Sequence, residues 1–386
     1  MSTPTREFKR AYGLDEIALV PSDQTIDFDL VDISTTIAGI HMKIPIFGSA
    51  MDSVISPKTA GLIGKFGGVG ILNLEGVQTR YENTDQVLSE ISSTPKSDYV
   101  SLMQKIYQGS PIKDELVIKR IKEIKSQGVP VVVSSTPQRA EHLGKLAVEA
   151  GADAFLIQST VVSTKFKAKS QAQILDLEAF CKKMPIPVMV GNSTTTDVTL
   201  ELMRTGVQAI FVGIGPGAAC TTRGVLGIGV PMATSIVETS AARDQYQQES
   251  GRYVPIIADG GIVTSGDICK ALACGADAVM IGSPLAKAIE APGKGFHWGM
   301  ATPNAILPRG ARIEVGTIAS MEQILVGPSN SDDGSQNLSG AIKTCLATLG
   351  AETLKDMHKV NIIVAPSLLT EGKIYQKAQS LGMYKK

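Results

Sequence analysis

The stretch SGDICKALACGADAVMIGS (residues 265–283) holds one complete structural unit. Apolar residues in its first half fall at helical spacing, Gly275 stands where such a helix stops, and AVMI is a short continuous apolar run suited to burial on both faces. The phrase recurs. AEHLGKLAVEA passes through Gly151-Ala152-Asp153-Ala154 into FLIQST, and DVTLELMRT passes through Gly206-Val207-Gln208-Ala209 into IFVGIG. Outward from these, the apolar runs are IPIFGSAMD, GGVGILNLE, VPVVVSST, AFLIQST, IPVMVGNS, AIFVGIG, VPIIADGG and AVMIGSP. Val/Ile-rich runs alternating with helices mark parallel strands covered by helices. Eight such units describe a (β/α)8 TIM barrel of the α/β class; an open doubly wound sheet is the rival, without a clear switch-point signature here. The expectation is a single catalytic barrel over residues 1–386. Residues 1–40 lead in, and 81–113 is a short polar excursion between the second and third units. The Pro-containing stretch 294–333 is expected as an active-site loop and flap over the barrel mouth, together with a C-terminal extension.

With 386 residues, 43% of them hydrophobic, the chain can bury a large core, which excludes disordered and disulfide-stapled classes. Thirty-seven basic residues balance thirty-seven acidic ones, which argues against a nucleic-acid binder or a membrane-surface protein. Glycine, at 38 residues, is in excess, as tight turns and close ligand approach require. Five cysteines without CxxC spacing point to a reducing compartment, and nothing approaches eighteen uninterrupted apolar residues. A cytoplasmic protein is expected.

In a barrel the chemistry gathers at the C-terminal ends of the strands. After the sixth run comes GIGPGAACTTRG (213–224), where alternate glycines bring backbone close to a ligand and Cys220 stands among small and hydroxyl residues. A buried core cysteine in a glycine turn is the competing reading; at a strand end, a thiol that attacks an electrophilic carbon is favoured. Asp259-Gly260-Gly261-Ile262 and Gly282-Ser283 end the seventh and eighth runs, the usual place of a phosphate site in this fold. A carboxylate beside it suits a ribose diol, with an N-cap or turn role as the alternative. Phosphate, ribose and thiol on neighbouring strands describe a nucleoside monophosphate held for attack on its base.

GIGPGAACTTR resembles the active-site cysteine loop of the IMP dehydrogenase and GMP reductase family. SAMDS (49–53), DGGI, GSPLA (282–286) and WGM (298–300) are similar to further motifs of that family, in the same order along the chain. The resemblance covers nearly the whole sequence. It is closest to the IMP dehydrogenase-related branch without the regulatory domain, since only 81–113 stands where that domain is usually inserted. It implies oxidation of IMP to XMP with NAD through a covalent bond to Cys220, with Thr222 orienting or activating the hydrolytic water. The family's flap arginine matches Arg309 first and Arg312 second; no Tyr follows either. Substrate contacts are implied for Ser49, Met51, Gly217, Asp259, Gly261, Gly282, Ser283, Met300 and Glu314, and for His297 where the family often has Tyr. The cofactor side is implied at Gln158, Ser159, Asn192 and Gly213, with Gln158 replacing an acid. A monovalent cation, K+, is implied on backbone carbonyls of Gly215, Gly217 and Cys220, and a homotetramer is the implied assembly. GMP reductase is the nearest alternative, but its acid after Gly-Met is absent from Ala301-Thr302-Pro303-Asn304. A catalytically silent purine-nucleotide-binding regulator is the other.

Overall fold

The computed structural model describes residues 8–167, 169, 174–365 and 371–384. Eight parallel strands close into a barrel: β1 (Ile46–Gly48), β2 (Val69–Asn73), β3 (Val132–Ser135), β4 (Ala154–Gln158), β5 (Val188–Ser193), β6 (Ala209–Val212), β7 (Ile256–Asp259) and β8 (Ala278–Ile281). Closure runs through Val279 of β8 opposite Ile46 of β1. These are the eight runs read in the sequence. The three recurring glycines stop their helices with φ of +89° (Gly151), +96° (Gly206) and +113° (Gly275), a region that residues with a Cβ rarely enter.

Strand alternation explains why the mouth is polar. One set of alternate residues packs outward on the helices, for example Ile46, Val133, Phe155, Ile157 and Val279. The other set fills the barrel: Phe47, Val69, Ile71, Val132, Leu156, Met189, Phe211, Ile257 and Met280 are buried together, with the Phe47 and Phe211 rings edge-on at 5.7 Å. Two residues above Ile71, Leu156 and Ile257 on this inward set stand Asn73, Gln158 and Asp259. The core thus ends in a polar layer at the mouth. At the opposite end the antiparallel strands Thr35–Ile37 and Ile40–Met42 add Ile37, Ile40 and Met42 to the same interior cluster.

The remaining segments refine the sequence reading. The excursion 81–113 forms two helices, Thr84–Ser93 and Tyr99–Gly109, whose Leu88, Ile91, Met103 and Ile106 share a cluster with Val77 and Trp298. Of residues 294–333, those bordering the mouth are confined to Gly299–Arg309, carried between the paired strands Phe296–Trp298 and Arg312–Glu314. The later part turns away along the outer wall, where Ile318 N–H donates to the Lys287 carbonyl at 2.9 Å. The C-terminal extension, expected over the mouth, is corrected for residues 338–364. Helix Leu338–Thr348 lays its apolar face on helix Ser265–Ala273, and strand Ile362–Val364 pairs with Ile17–Leu19. Leu338, Ile342 and Leu346 are fully buried there, so burial on the wall takes this stretch away from the mouth.

Candidate active site

A cavity of about 790 Å3 opens at the C-terminal ends of the strands. Ser49, Met51, Gln158, Asp259 and Met280 line it from the barrel side, Cys220 from the loop after β6, and Met300 and Arg309 from the flap. The Cys220 Sγ–H donates to Thr222 Oγ1 at 3.2 Å, and Thr222 is 1% exposed. Glycine shapes this loop. A Cβ on Gly213, at φ +139°, would come within 2.4 Å of the Asp259 carbonyl oxygen. Cys220 N–H donates to the Gly217 carbonyl at 3.0 Å, closing the turn. The flap lies antiparallel beside it: Cys220 pairs with Gly310, and Ala311 N–H donates to the Ala219 carbonyl at 2.8 Å.

Asp259 is bound from across the barrel. Its Oδ2 accepts from the Asn192 amide at 2.7 Å and from the Gln158 amide at 3.1 Å, and Gln158 also donates to Asn192 Oδ1 at 3.3 Å. Burial pushes the Asp259 carboxyl up to about 6, outweighing the two amides that favour its ionised form. Both amides use the same oxygen, so Oδ1 remains for a ligand hydroxyl. Gln158, read in sequence as a lost acid on the cofactor side, here orients the carboxylate assigned to ribose.

The loops after β7 and β8 form a tight backbone cradle. Gly260 and Gly261 take φ of +85° and +72° and pack on Pro216, whose Cβ would lie 3.0 Å from a Cβ on Gly261. A Cβ on Gly282 would sit 2.7 Å from His297 Cε1 and 3.4 Å from Ser49 Oγ. Gly282, Ser283, Ser49 and His297 are therefore neighbours. His297 is 3% exposed with an unpartnered Nδ1, and burial pushes its pKa down to about 4, so the ring is neutral at physiological pH.

Arg309 Nη1 donates to Thr160 Oγ1 at 3.1 Å, placing this guanidinium at the mouth beside the end of β4. Ser159 stands at the same rim with its hydroxyl on the Val161 carbonyl at 2.7 Å. Arg312, the second flap candidate, is not brought to the cavity. Its guanidinium donates to the carbonyls of Ile91, Ser92 and Thr94 and lies over the rings of Tyr99 and Phe296, which gives it an anchoring place instead. Glu314 is also outside, exposed on the strand opposite Phe296. Of the carbonyls that the resemblance assigns to K+, that of Gly217 accepts the Cys220 N–H. Among the described residues no group of three or more His, Cys, Asp or Glu could hold a metal ion, and no helix is long and apolar enough to cross a membrane.

The model of the IMP dehydrogenase / GMP reductase domain matches residues 11–303. The chain belongs to this family. Relatives of the IMP dehydrogenase / GMP reductase family chain include an "Uncharacterized oxidoreductase" of Mycolicibacterium smegmatis, 37% identical over 93% of this chain and 98% of that protein. An inosine-5'-monophosphate dehydrogenase of Cryptosporidium parvum is 29% identical over 92% of each. Among solved structures, an IMP dehydrogenase/GMP reductase-like protein from Corynebacterium glutamicum matches with TM-score 0.88 and 36% identity, covering 93% of this chain and 95% of that one. The family motifs found in sequence account for the thiol, the carboxylate and the glycine cradle. They do not account for the far rim of the cavity, where Asn73, Glu75, Arg80, Tyr107, Thr136 and Arg139 stand. Only the inward parity of Asn73 above Ile71 hinted at that rim in the sequence.

Proposed function

We propose that this oxidoreductase-family chain is an NAD-dependent IMP dehydrogenase that oxidises IMP to XMP. One observation carries the reading: the Cys220 thiol, 3.2 Å from the buried Thr222 hydroxyl, faces the same cavity as Asp259 and the methionines Met51 and Met300. The Gly261, Gly282 and Ser283 loops, with Ser49 and neutral His297, would take the 5'-phosphate, and Asp259 would accept the ribose hydroxyls. The purine then lies between Met51 and Met300 with C2 toward Cys220. The thiolate adds to C2, and the hydrogen on C2 leaves with its electron pair as the first half-reaction.

NAD would occupy the part of the cavity beyond the purine. From Cys220 the cavity continues past Gln158, Ser159 and Thr160 to Thr136 and Arg139, a rim of amides, hydroxyls and a guanidinium suited to ribose and phosphate groups. Bound there, nicotinamide supplies the acceptor for the departing hydride. In the second half-reaction water attacks C2, the C–S bond breaks and Cys220 is regenerated. Thr222, through its hydrogen bond with Cys220, and Arg309, which donates to Thr160, would orient that water. No step is assigned to K+. The homotetramer rests on the family resemblance; Val225, Leu226, Ile228, Ile306 and Leu307 are exposed apolar residues that could be covered by another copy of the chain.

Absorbance at 340 nm tests the reading. IMP with NAD should produce NADH, while GMP with NADPH should show no consumption. The reverse result would make the chain a GMP reductase, and silence in both, with IMP still bound, would make it a nucleotide-binding regulator.

A further inference from the structure

The excursion 81–113 touches the flap at places that the proposed chemistry does not use. The Tyr99 hydroxyl donates to the Gly310 carbonyl at 3.2 Å, and the Gln104 amide donates to the Asn304 carbonyl at 3.1 Å. Arg312 donates to the carbonyls of Ser92 at 3.3 Å and Thr94 at 2.6 Å, as well as to Ile91. These carbonyls lie at the C-terminal end of helix Thr84–Ser93, where a helix leaves its last acceptors unpaired and favours a cation. The same guanidinium lies 5.3 Å from the Tyr99 ring centre and 4.7 Å from that of Phe296. Beneath these contacts Leu88, Ile91, Met103 and Trp298 are 1% exposed or less, so the frame is packed.

The contacted residues are those that sit against the reactive loop. Gly310, held by Tyr99, is the pairing partner of Cys220. Ala311 N–H, next in sequence, donates to the Ala219 carbonyl. Between the Gln104 and Tyr99 contacts lies Arg309, and the loop tip is braced by Asn304 Oδ1, which accepts from the N–H groups of Ile306 at 3.0 Å and Leu307 at 2.8 Å. Ile306 itself is 95% exposed. The flap is thus a compact loop fixed at both feet by a separate pair of helices.

We propose that the excursion is a clamp: Tyr99 and Gln104, with Arg312 as anchor, hold residues 304–312 in register on the Cys220 loop, which makes Tyr99 a positioning residue for the thiol and for Arg309. Its geometry is independent of which nucleotide binds; only the turnover readout below rests on the IMP dehydrogenase reading. Opening of the flap should be a local event that breaks the Ala311–Ala219 and Tyr99–Gly310 hydrogen bonds together.

The test uses the full chain with Tyr99→Phe, which keeps the ring over Arg312 and removes one hydroxyl, and with Gln104→Ala. Hydrogen exchange reads the amide of Ala311, and peptide mass spectrometry reads the rate of Cys220 alkylation by iodoacetamide. Each variant should raise both by about fivefold, the loss of one ordinary hydrogen bond, while exchange in β1 to β8 stays as in the wild type. With IMP and NAD, kcat should fall by less than this factor, because the closed flap still predominates, at unchanged KM for IMP, because the phosphate loops are untouched. Wild-type exchange at Ala311 and wild-type alkylation of Cys220 in both variants would overturn the clamp. A general loss of thermal stability with protection of Ala311 unchanged would do the same. If IMP is not turned over at all, exchange and alkylation still decide the proposal.

Discussion

The two rims of the cavity are built differently. On the side of β6, β7, β8 and β1 the loops are shaped by backbone: Gly213, Gly260 and Gly261 hold positive φ and a Cβ on Gly282 would meet His297, behind a lining of Ser49, Met51, Cys220, Asp259 and Met280. On the side of β2 to β5 it is made of side chains, Asn73, Glu75, Arg80, Gln158 and Arg139, with Tyr107 and the flap closing over them. A backbone rim has one shape and fails abruptly when a methyl group is added. A side-chain rim loses one hydrogen bond at a time and degrades by steps. Asp259 joins the two, since it ends β7 and is held by Asn192 and Gln158 of the opposite side.

The largest difference should come from the flap. Arg309→Ala removes the guanidinium at the mouth and should slow hydrolysis of the covalent intermediate by roughly a hundredfold or more, leaving IMP affinity and the first turnover nearly unchanged. Stopped-flow absorbance would then show a burst of NADH followed by a slow phase. A variant that loses the burst too would place Arg309 in binding.

On the backbone rim, Gly282→Ala should act on affinity. Its Cβ would stand 2.7 Å from His297 Cε1, so the ring or the loop must shift. KM for IMP should rise about tenfold or more, with a smaller change in kcat and almost none in the KM for NAD. Equal effects on both KM values would erase the distinction between the rims.

The smallest effect concerns their junction. Asp259 accepts ribose hydroxyls when ionised, and its carboxyl titrates at about 6. The kcat/KM for IMP should therefore fall as pH drops through about 6. Gln158→Met removes a donor that favours the carboxylate, so the acidic limb should move upward, by about one unit for one hydrogen bond. A downward shift would contradict the assigned role of the amide. The sign for folding runs the other way from a paired carboxylate: because burial raises this pKa, ionisation above it costs the folded state stability.

The barrel was legible because its signals are local. A helix, its terminating glycine and the next strand occupy one continuous stretch, and Cys220 and Thr222 are two residues apart on one turn. The clamp was not legible because its partners are distant in sequence. Tyr99 and Gly310 are 211 residues apart, and Arg312 and Ile91 are 221. A cation in a proline- and glycine-rich flap reads as a catalytic candidate until the end of helix Thr84–Ser93 is seen beside it. His297 illustrates the same limit: only the pairing of Phe296–Trp298 with Arg312–Glu314 shows that it is carried inside, against Gly282. The C-terminal extension expected over the mouth lies, over Leu338–Thr348, on helix Ser265–Ala273, a partner that apolar spacing alone does not name.

The central claim is covalent chemistry at Cys220, and the direct measurement is the adduct itself. Arg309→Ala protein mixed with IMP and NAD, quenched with acid at the end of the burst and digested, should yield the Cys220 peptide carrying the purine nucleotide, in an amount equal to the NADH of the burst. The adduct should be missing when NAD or IMP is left out, and Cys220→Ala should form neither adduct nor NADH. Steady NADH production from IMP by Cys220→Ala at near wild-type rate, or a burst whose label lies on another residue, would contradict the account.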